Sequence, residues 1–294
     1  MKRLWITLLL AGALVPPLEA GIAYKARTWQ EGQQANRQAE ITVWARIDGD
    51  RARIEFQESG NPWMTKGSYL LTTDGGKTLY LVKPEDKSYG EFDLDQVMQL
   101  LGALSESGVI DFEIENPRLE TLERGPGKSV AGIATKHARY RTTYDMQMKI
   151  LGFKKRQQVE TVQDVWYTTE VRDAGMGVWL RRQPPRTGTD LDRLIDLEVE
   201  KMGGGFPLET AETMTMTGRK GRQTTTITRM RVSELDRGAS FAPGIYVIPS
   251  DYTPVEFVPT EATMAGGQQE TPPEEEKKGG IMGRFKKLGK KNKG

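Results

Sequence analysis

Apolar positions along this chain recur every second residue rather than every third or fourth. In residues 41–47, Ile41, Val43, Ala45 and Ile47 fall on one side; after Asp48-Gly49-Asp50, Ala52, Ile54 and Phe56 alternate with Arg51, Arg53 and Glu55. A period of two is that of a strand, and an Asp-Gly between two such runs predicts a β-hairpin. A second hairpin is predicted from 69–73 and 78–82 around Asp74-Gly75-Gly76-Lys77. Longer alternating runs at 134–150 and 157–171 flank Leu151-Gly152-Phe153-Lys154-Lys155, and a further pair at 208–217 and 223–232 flanks Gly218-Arg219-Lys220-Gly221-Arg222. Successive hairpins make an antiparallel meander, and a polar face on each run predicts a curved sheet with one solvated side.

Two segments change period. Leu94, Val97, Met98, Leu101 and Leu104 form a helical stripe that predicts a helix over 93–106, stopping near Gly108. Leu191, Leu194, Ile195 and Met202 predict another over 190–202, with a capping-box-like start at Thr189 and Asp192 and a stop at Gly203-Gly204-Gly205. Each stripe needs burial, and the concave face of the sheet offers it. The predicted fold class is mainly β (α+β): a curved antiparallel sheet or incomplete β-barrel with two amphipathic helices over its concave face.

The ends of the chain read differently from the middle. Met1-Lys2-Arg3, the apolar run 4–15, Pro16-Pro17 and small Ala20 read as a cleavable secretory signal peptide over 1–20, which predicts a periplasmic or secreted bacterial protein. The β-domain is expected over 21–258. Residues 259–280, with Pro272-Pro273, Glu274-Glu275-Glu276 and few apolar side chains, read as a disordered linker. In the basic tail 281–294, Ile281, Phe285 and Leu288 lie opposite Arg284, Lys286, Lys287, Lys290 and Lys291, with no acid. That pattern suits contact with an anionic membrane or other polyanion, and equally a disordered, solubilising tail.

Composition narrows the chemistry. Among 294 residues there is no Cys and a single His, which removes disulfides, thiolate metal sites and the lipidated Cys of a lipoprotein, and leaves His-based metal or relay chemistry without a second His. The 42 Lys+Arg against 40 Asp+Glu create no global field to collect nucleic acid. His137 is in phase with Thr135, Arg139 and Arg141 and is expected on a solvated strand face. The pairs Asp48/Asp50 and Asp192/Asp196 are explained by a turn and a helix surface, since no calcium-binding loop is present. Gly203-Gly204-Gly205 follows a helix and lacks the Gly-Lys-Ser/Thr of a phosphate loop. No catalytic motif, cofactor or metal site is read from the sequence.

The order of pieces resembles a family. Arg46-Ile47-Asp48-Gly49-Asp50-Arg51-Ala52-Arg53-Ile54-Glu55, then Leu71-Thr72-Thr73-Asp74-Gly75-Gly76-Lys77-Thr78-Leu79-Tyr80-Leu81-Val82 and Lys87-Ser88-Tyr89, resemble the outer-membrane lipoprotein-carrier (LolA/LolB-like) superfamily, and in particular an uncharacterised secreted branch of it. Residues 130–137 would be the later hairpin, and Phe241-Ala242-Pro243-Gly244-Ile245-Tyr246 the entry to the last strand. The resemblance spans about residues 21–249 and rests on hairpin order and turn residues. It implies an incomplete antiparallel barrel wrapped over helices, whose apolar concavity takes up the acyl chains of a lipoprotein in some relatives.

Strand and helix phase then nominate the concave face. Val97 and Leu101 come from the first helix, Tyr140, Tyr144, Met146 and Met148 from one strand, and Met214 and Met216 from another. Thioethers beside aromatics suit an adaptable lipid pocket, and they equally fill an ordinary core. Two functions follow as expectations. One is a non-enzymatic periplasmic binding protein for a hydrophobic ligand, a lipid or lipoprotein acyl chain. The other is an envelope interaction module docking through a sheet edge and the basic tail.

Overall fold

The computed structural model describes residues 21–32, 39–62, 64–92, 110–150, 153–171, 191–202 and 205–255. Twelve strands among them form one open, mostly antiparallel sheet: β1 (Gly21–Glu31), β2 (Ile41–Asp48), β3 (Arg51–Ser59), β4 (Tyr69–Thr72), β5 (Leu79–Lys83), β6 (Ser88–Phe92), β7 (Ile110–Val130), β8 (Ile133–Ile150), β9 (Phe153–Thr168), β10 (Phe206–Thr217), β11 (Gln223–Ala239) and β12 (Thr253–Pro254). Their order is β12-β6-β5-β4-β3-β2-β1-β11-β10-β9-β8-β7. Only β12 runs parallel to its neighbour, β6. One helix, α1 (Leu191–Met202), is described, between β9 and β10. The helix expected over 93–106, and with it Val97 and Leu101, lies outside the described residues, as do the signal segment, the linker and the tail.

The four hairpins read from alternation are all present. Between β2 and β3 the two linking residues are Gly49 and Asp50, not the Asp-Gly pair expected, and Gly49 supplies the left-handed φ of 58°. Thr72 and Asp74 organise the β4–β5 turn: Gly76 N–H donates to Thr72 Oγ1 (3.0 Å) and Thr78 N–H to Asp74 Oδ1 (3.0 Å). β7 has no clean counterpart in the sequence pattern. Its pairing with β8 slips at three places, between Glu115 and Arg118, Thr121 and Glu123, and Pro126 and Ser129. Each slip is a bulge that moves the following side chains to the other face and erases the period. Val130 and Ile133 then pair across a two-residue turn in which Ala131 (φ 51°) and Gly132 (φ 76°) are both left-handed.

This hairpin end leans over the sheet. In a flat sheet β7 would lie about 14 Å from β10, with β8 and β9 between them. Yet Val130 shares a buried cluster with Leu208 of β10, Val232 of β11 and Ala26 of β1. Lys128 Nζ reaches Glu209 Oε1 of β10 at 2.6 Å and sits 4.1 Å from the Trp166 ring on β9. Gly127 permits the approach, since a Cβ there would stand 3.0 Å from Trp166 Cδ1 and 2.3 Å from Thr135 Oγ1.

The β3–β6 part of the sheet is buried on both faces, where one solvated face was expected. Ala52, Ile54, Leu79 and Leu81 are buried on one side, and Tyr69, Leu71 and Val82 on the other. The second face is covered by the chain after β11, which crosses β1–β5 to reach β6. Phe241 lies where a Cβ on Gly21 would be 2.6 Å away, the turn Pro243–Tyr246 follows, and Tyr246 packs with Tyr69, Leu71 and Val82. The expected strand entry at 241–246 is therefore a 3-10 turn, and the strand comes later, at β12. Arg53 donates to the Ile245 carbonyl (3.4 Å), and Thr253 N–H to the Lys87 carbonyl (2.8 Å), which ties this strap at both ends.

Candidate functional site

The face beneath α1 holds most of the side chains nominated by strand phase. Tyr144 of β8 pairs with Val159 of β9, which pairs with Met216 of β10; Thr142, Thr161 and Met214 form the next row, and Tyr140, Gln163 and Glu212 the one after. Pairing in register puts Tyr140, Tyr144, Met146, Met214 and Met216 on one face. Tyr144, Met146, Met214 and Met216 are half-buried. Tyr140 departs from the expected pocket role: it is 3% exposed and packed with Ala138 and Val165 in a closed cluster. Met148 lies on β8, and its side chain is outside the described residues.

The helix adds a polar set that the apolar stripe concealed. Glu198 follows Ile195 by three and Leu194 by four, and Lys201 follows Glu198 by three, so an acid and a base share the side of α1 that carries the apolar stripe. Lys201 is buried, its Nζ 2.5 Å from Glu198 Oε1 in an ion pair that lacks hydrogen-bond geometry. Burial holds the Glu212 carboxyl above the usual carboxylate range, with Lys201 opposing and Glu198 adding to the shift. Burial likewise raises the Tyr144 phenol, reinforced by Glu198 and Glu212. Glu198 and Lys201 are thus near enough to Tyr144 of β8 and Glu212 of β10 to act on their charge, while the backbone of α1 lies closest to β7. A mixed Lys/Glu/Tyr cluster beside half-exposed thioethers can orient one polar end of an amphiphile whose apolar part lies on the methionines.

A second concavity lies between β4–β6 and the strap. It has a volume of about 500 Å³, opens to solvent, and is lined by Leu71, Tyr80, Tyr89, Glu91, Tyr246 and Ile248, among others. That volume is in the range of small-molecule sites. Tyr80 and Tyr89 meet edge to face, centroids 6.1 Å apart. The signal in the sequence was the unbroken apolar runs Tyr69-Leu70-Leu71 and Leu79-Tyr80-Leu81-Val82, which belong to strands covered on both sides.

His137 is less exposed than its phase predicts, at 14% of its side chain. Its Nε2 lies 2.8 Å from Asp164 Oδ1 and its ring stacks on Trp166 at 4.9 Å, while Glu123 stands 3.9 Å from Nδ1. The hairpin end at Lys128 shields this part of the polar face. The arrangement has a His and a carboxylate, but no Ser or Thr hydroxyl is hydrogen-bonded to His137 among the described residues. No group of three His, Asp or Glu among those residues converges as metal ligands would. No protein-family model matches the chain, and no curated protein is significantly similar to it.

Proposed function

We propose that this chain is a non-enzymatic binding protein for a hydrophobic ligand, a lipid or lipoprotein acyl chain, held against the face beneath α1. The observation that carries the reading is that Tyr144, Met146, Met214 and Met216 share that face and stay half-exposed, near buried Lys201 and the half-buried Glu198 and Glu212. Burial of acyl methylenes on such a surface supplies affinity of roughly 0.8 kcal/mol per CH₂. The polar set supplies orientation. The lean of the β7–β8 hairpin over the sheet is in keeping with an incomplete barrel, the architecture implied by the resemblance to the lipoprotein-carrier superfamily. The N-terminal segment supports export to the periplasm or beyond.

The edge-docking alternative finds less support. β7 is an edge strand of 21 residues, yet it carries three bulges, Pro117 and Pro126, and charges at Glu115, Arg118, Glu120 and Glu123. Those are the devices that discourage strand addition. The test is native mass spectrometry of protein purified from the periplasm, before and after delipidation. A stoichiometric lipid that Tyr144→Asp abolishes, with the circular dichroism spectrum unchanged, supports the reading. An empty protein that takes up no added lipid or lipopeptide overturns it.

A further inference from the structure

The cavity under the strap is a different kind of site from the face beneath α1. Its walls combine tyrosines with aliphatic side chains and hold no thioether, and its one charged lining side chain is an acid. Tyr80 and Glu91 project from the paired strands β5 and β6 onto the same face, and Tyr89 is two residues from Glu91 on β6. Among the described residues Glu91 has no hydrogen-bond or ion-pair partner. Lys87 is held by Asp251 at 2.8 Å, and Arg51 by Asp48.

The rings of this surface already collect cations where one is within reach. The Arg53 guanidinium lies 3.7 Å from the Tyr69 centroid and that of Arg51 5.0 Å from the Tyr246 centroid. Tyr80 and Tyr89 have no such partner among the described residues. The field at Tyr80 is negative, for its phenol is raised first by burial and then by Glu91 and Asp74. A group of tyrosine rings beside an exposed carboxylate with no partner among the described residues, in a concavity open to solvent, is chemistry that recognises an organic ammonium: the rings attract the diffuse positive charge, and the carboxylate completes it.

We propose that the concavity beside the strap binds a small organic ammonium at Tyr80, Tyr89 and Glu91, with a trimethylammonium group seated on these two rings and its charge facing Glu91. A compact primary ammonium gives up more hydration on entering such walls than a trimethylammonium does, so the methylated cation fits better. This site stands independently of lipid binding beneath α1, and either can fail without the other. The same headgroup chemistry occurs on a free solute and on a choline lipid.

The test is calorimetric titration of the full chain with choline and with 3,3-dimethylbutan-1-ol, the neutral isostere with carbon in place of nitrogen. Choline is expected to bind about tenfold or more tightly than the isostere. Glu91→Gln and Tyr80→Leu should each weaken choline by about tenfold, and Tyr80→Phe, which keeps the ring, should restore it. Equal affinity for both compounds, or no binding of choline by folded protein, overturns the proposal. Vesicles separate the sources. Sedimentation with phosphatidylcholine but not phosphatidylglycerol vesicles, reversed by free choline, identifies a lipid headgroup. Choline binding without vesicle binding identifies a free solute.

Discussion

Lys128 of β7 and Glu209 of β10 are in contact at 2.6 Å although two strands lie between theirs. Glu209 is largely enclosed and also faces Arg231 at 3.5 Å, whereas the Lys128 side chain is half-exposed. Lys128→Ala is therefore expected to cost about 0.5–1 kcal/mol, as a surface pair does. Glu209→Ala should cost more, about 1–2 kcal/mol, because it leaves both cations without their acid. Urea unfolding followed by circular dichroism reads both. Midpoints unchanged in the two variants would mean that the hairpin end is not held by this contact.

The turn joining β7 to β8 places Ala131 at φ 51°, where a Cβ is crowded against the backbone. Asn tolerates that conformation far better, and Asn-Gly is the preferred pair for a turn with two left-handed residues. Ala131→Asn should raise stability by about 0.5–1 kcal/mol, seen as a higher melting temperature.

Tyr246 is 4% exposed, and its hydroxyl has no hydrogen-bond partner among the described residues. A buried unpartnered hydroxyl is costly, so Tyr246→Phe should be neutral or stabilising by about 1 kcal/mol at pH 7. Burial first, and then Asp48, push this phenol up to about 12. Tyr24 is also pushed up to about 12, by burial. The unfolded chain releases these protons near pH 10. The folded state holds them more tightly, so their contribution is complete below pH 10 and is lost as pH rises from 10 to 12. Denaturation midpoints measured across that window should fall less steeply for Tyr246→Phe than for the parent.

Glu212 makes a similar argument at acid pH. Its folded carboxyl is raised, so it contributes stability below the ordinary carboxylate range that disappears as pH climbs through its folded value. Glu212→Gln keeps the shape and removes the buried charge. It should stabilise the protein more at pH 7 than at pH 4, and a thermal-shift series at both values compares them. Equal effects at the two pH values would show that the carboxyl is solvated.

The hairpins and α1 were legible because each carries a period in its own residues: Ile41 to Phe56 for β2 and β3, Leu194 and Ile195 for the helix. β7 was not, since Pro117, Pro126 and three bulges break the alternation that a reader counts. Phase located Tyr144, Met146, Met214 and Met216 on one face, but phase does not say what covers a face. That is why Tyr140 is closed into a core, His137 is sheltered by a hairpin end, and the strap cavity was missed. Tyr80, Tyr89 and Tyr246 come from segments whose meeting depends on a crossing of five strands. Glu198 and Lys201 sat inside an apolar stripe as polar interruptions, the one local sign that the helix presents charge to the sheet.

The position of β1 has a consequence for how the chain acquires this sheet. β2–β6 and β7–β11 are each built from neighbours in sequence, and β1 is the strand that joins them, pairing with β2 on one side and β11 on the other. Gly21 faces Ala239, a separation of more than two hundred residues. Closing so long a loop is entropically costly and slow, whereas the two meanders nucleate locally. Docking of residues 21–31 is thus the event that turns two half-sheets into one. Until it occurs, β2 and β11 each present an unpaired edge, so β1 completes its pairing only after β11, more than two hundred residues later in the chain, has been made.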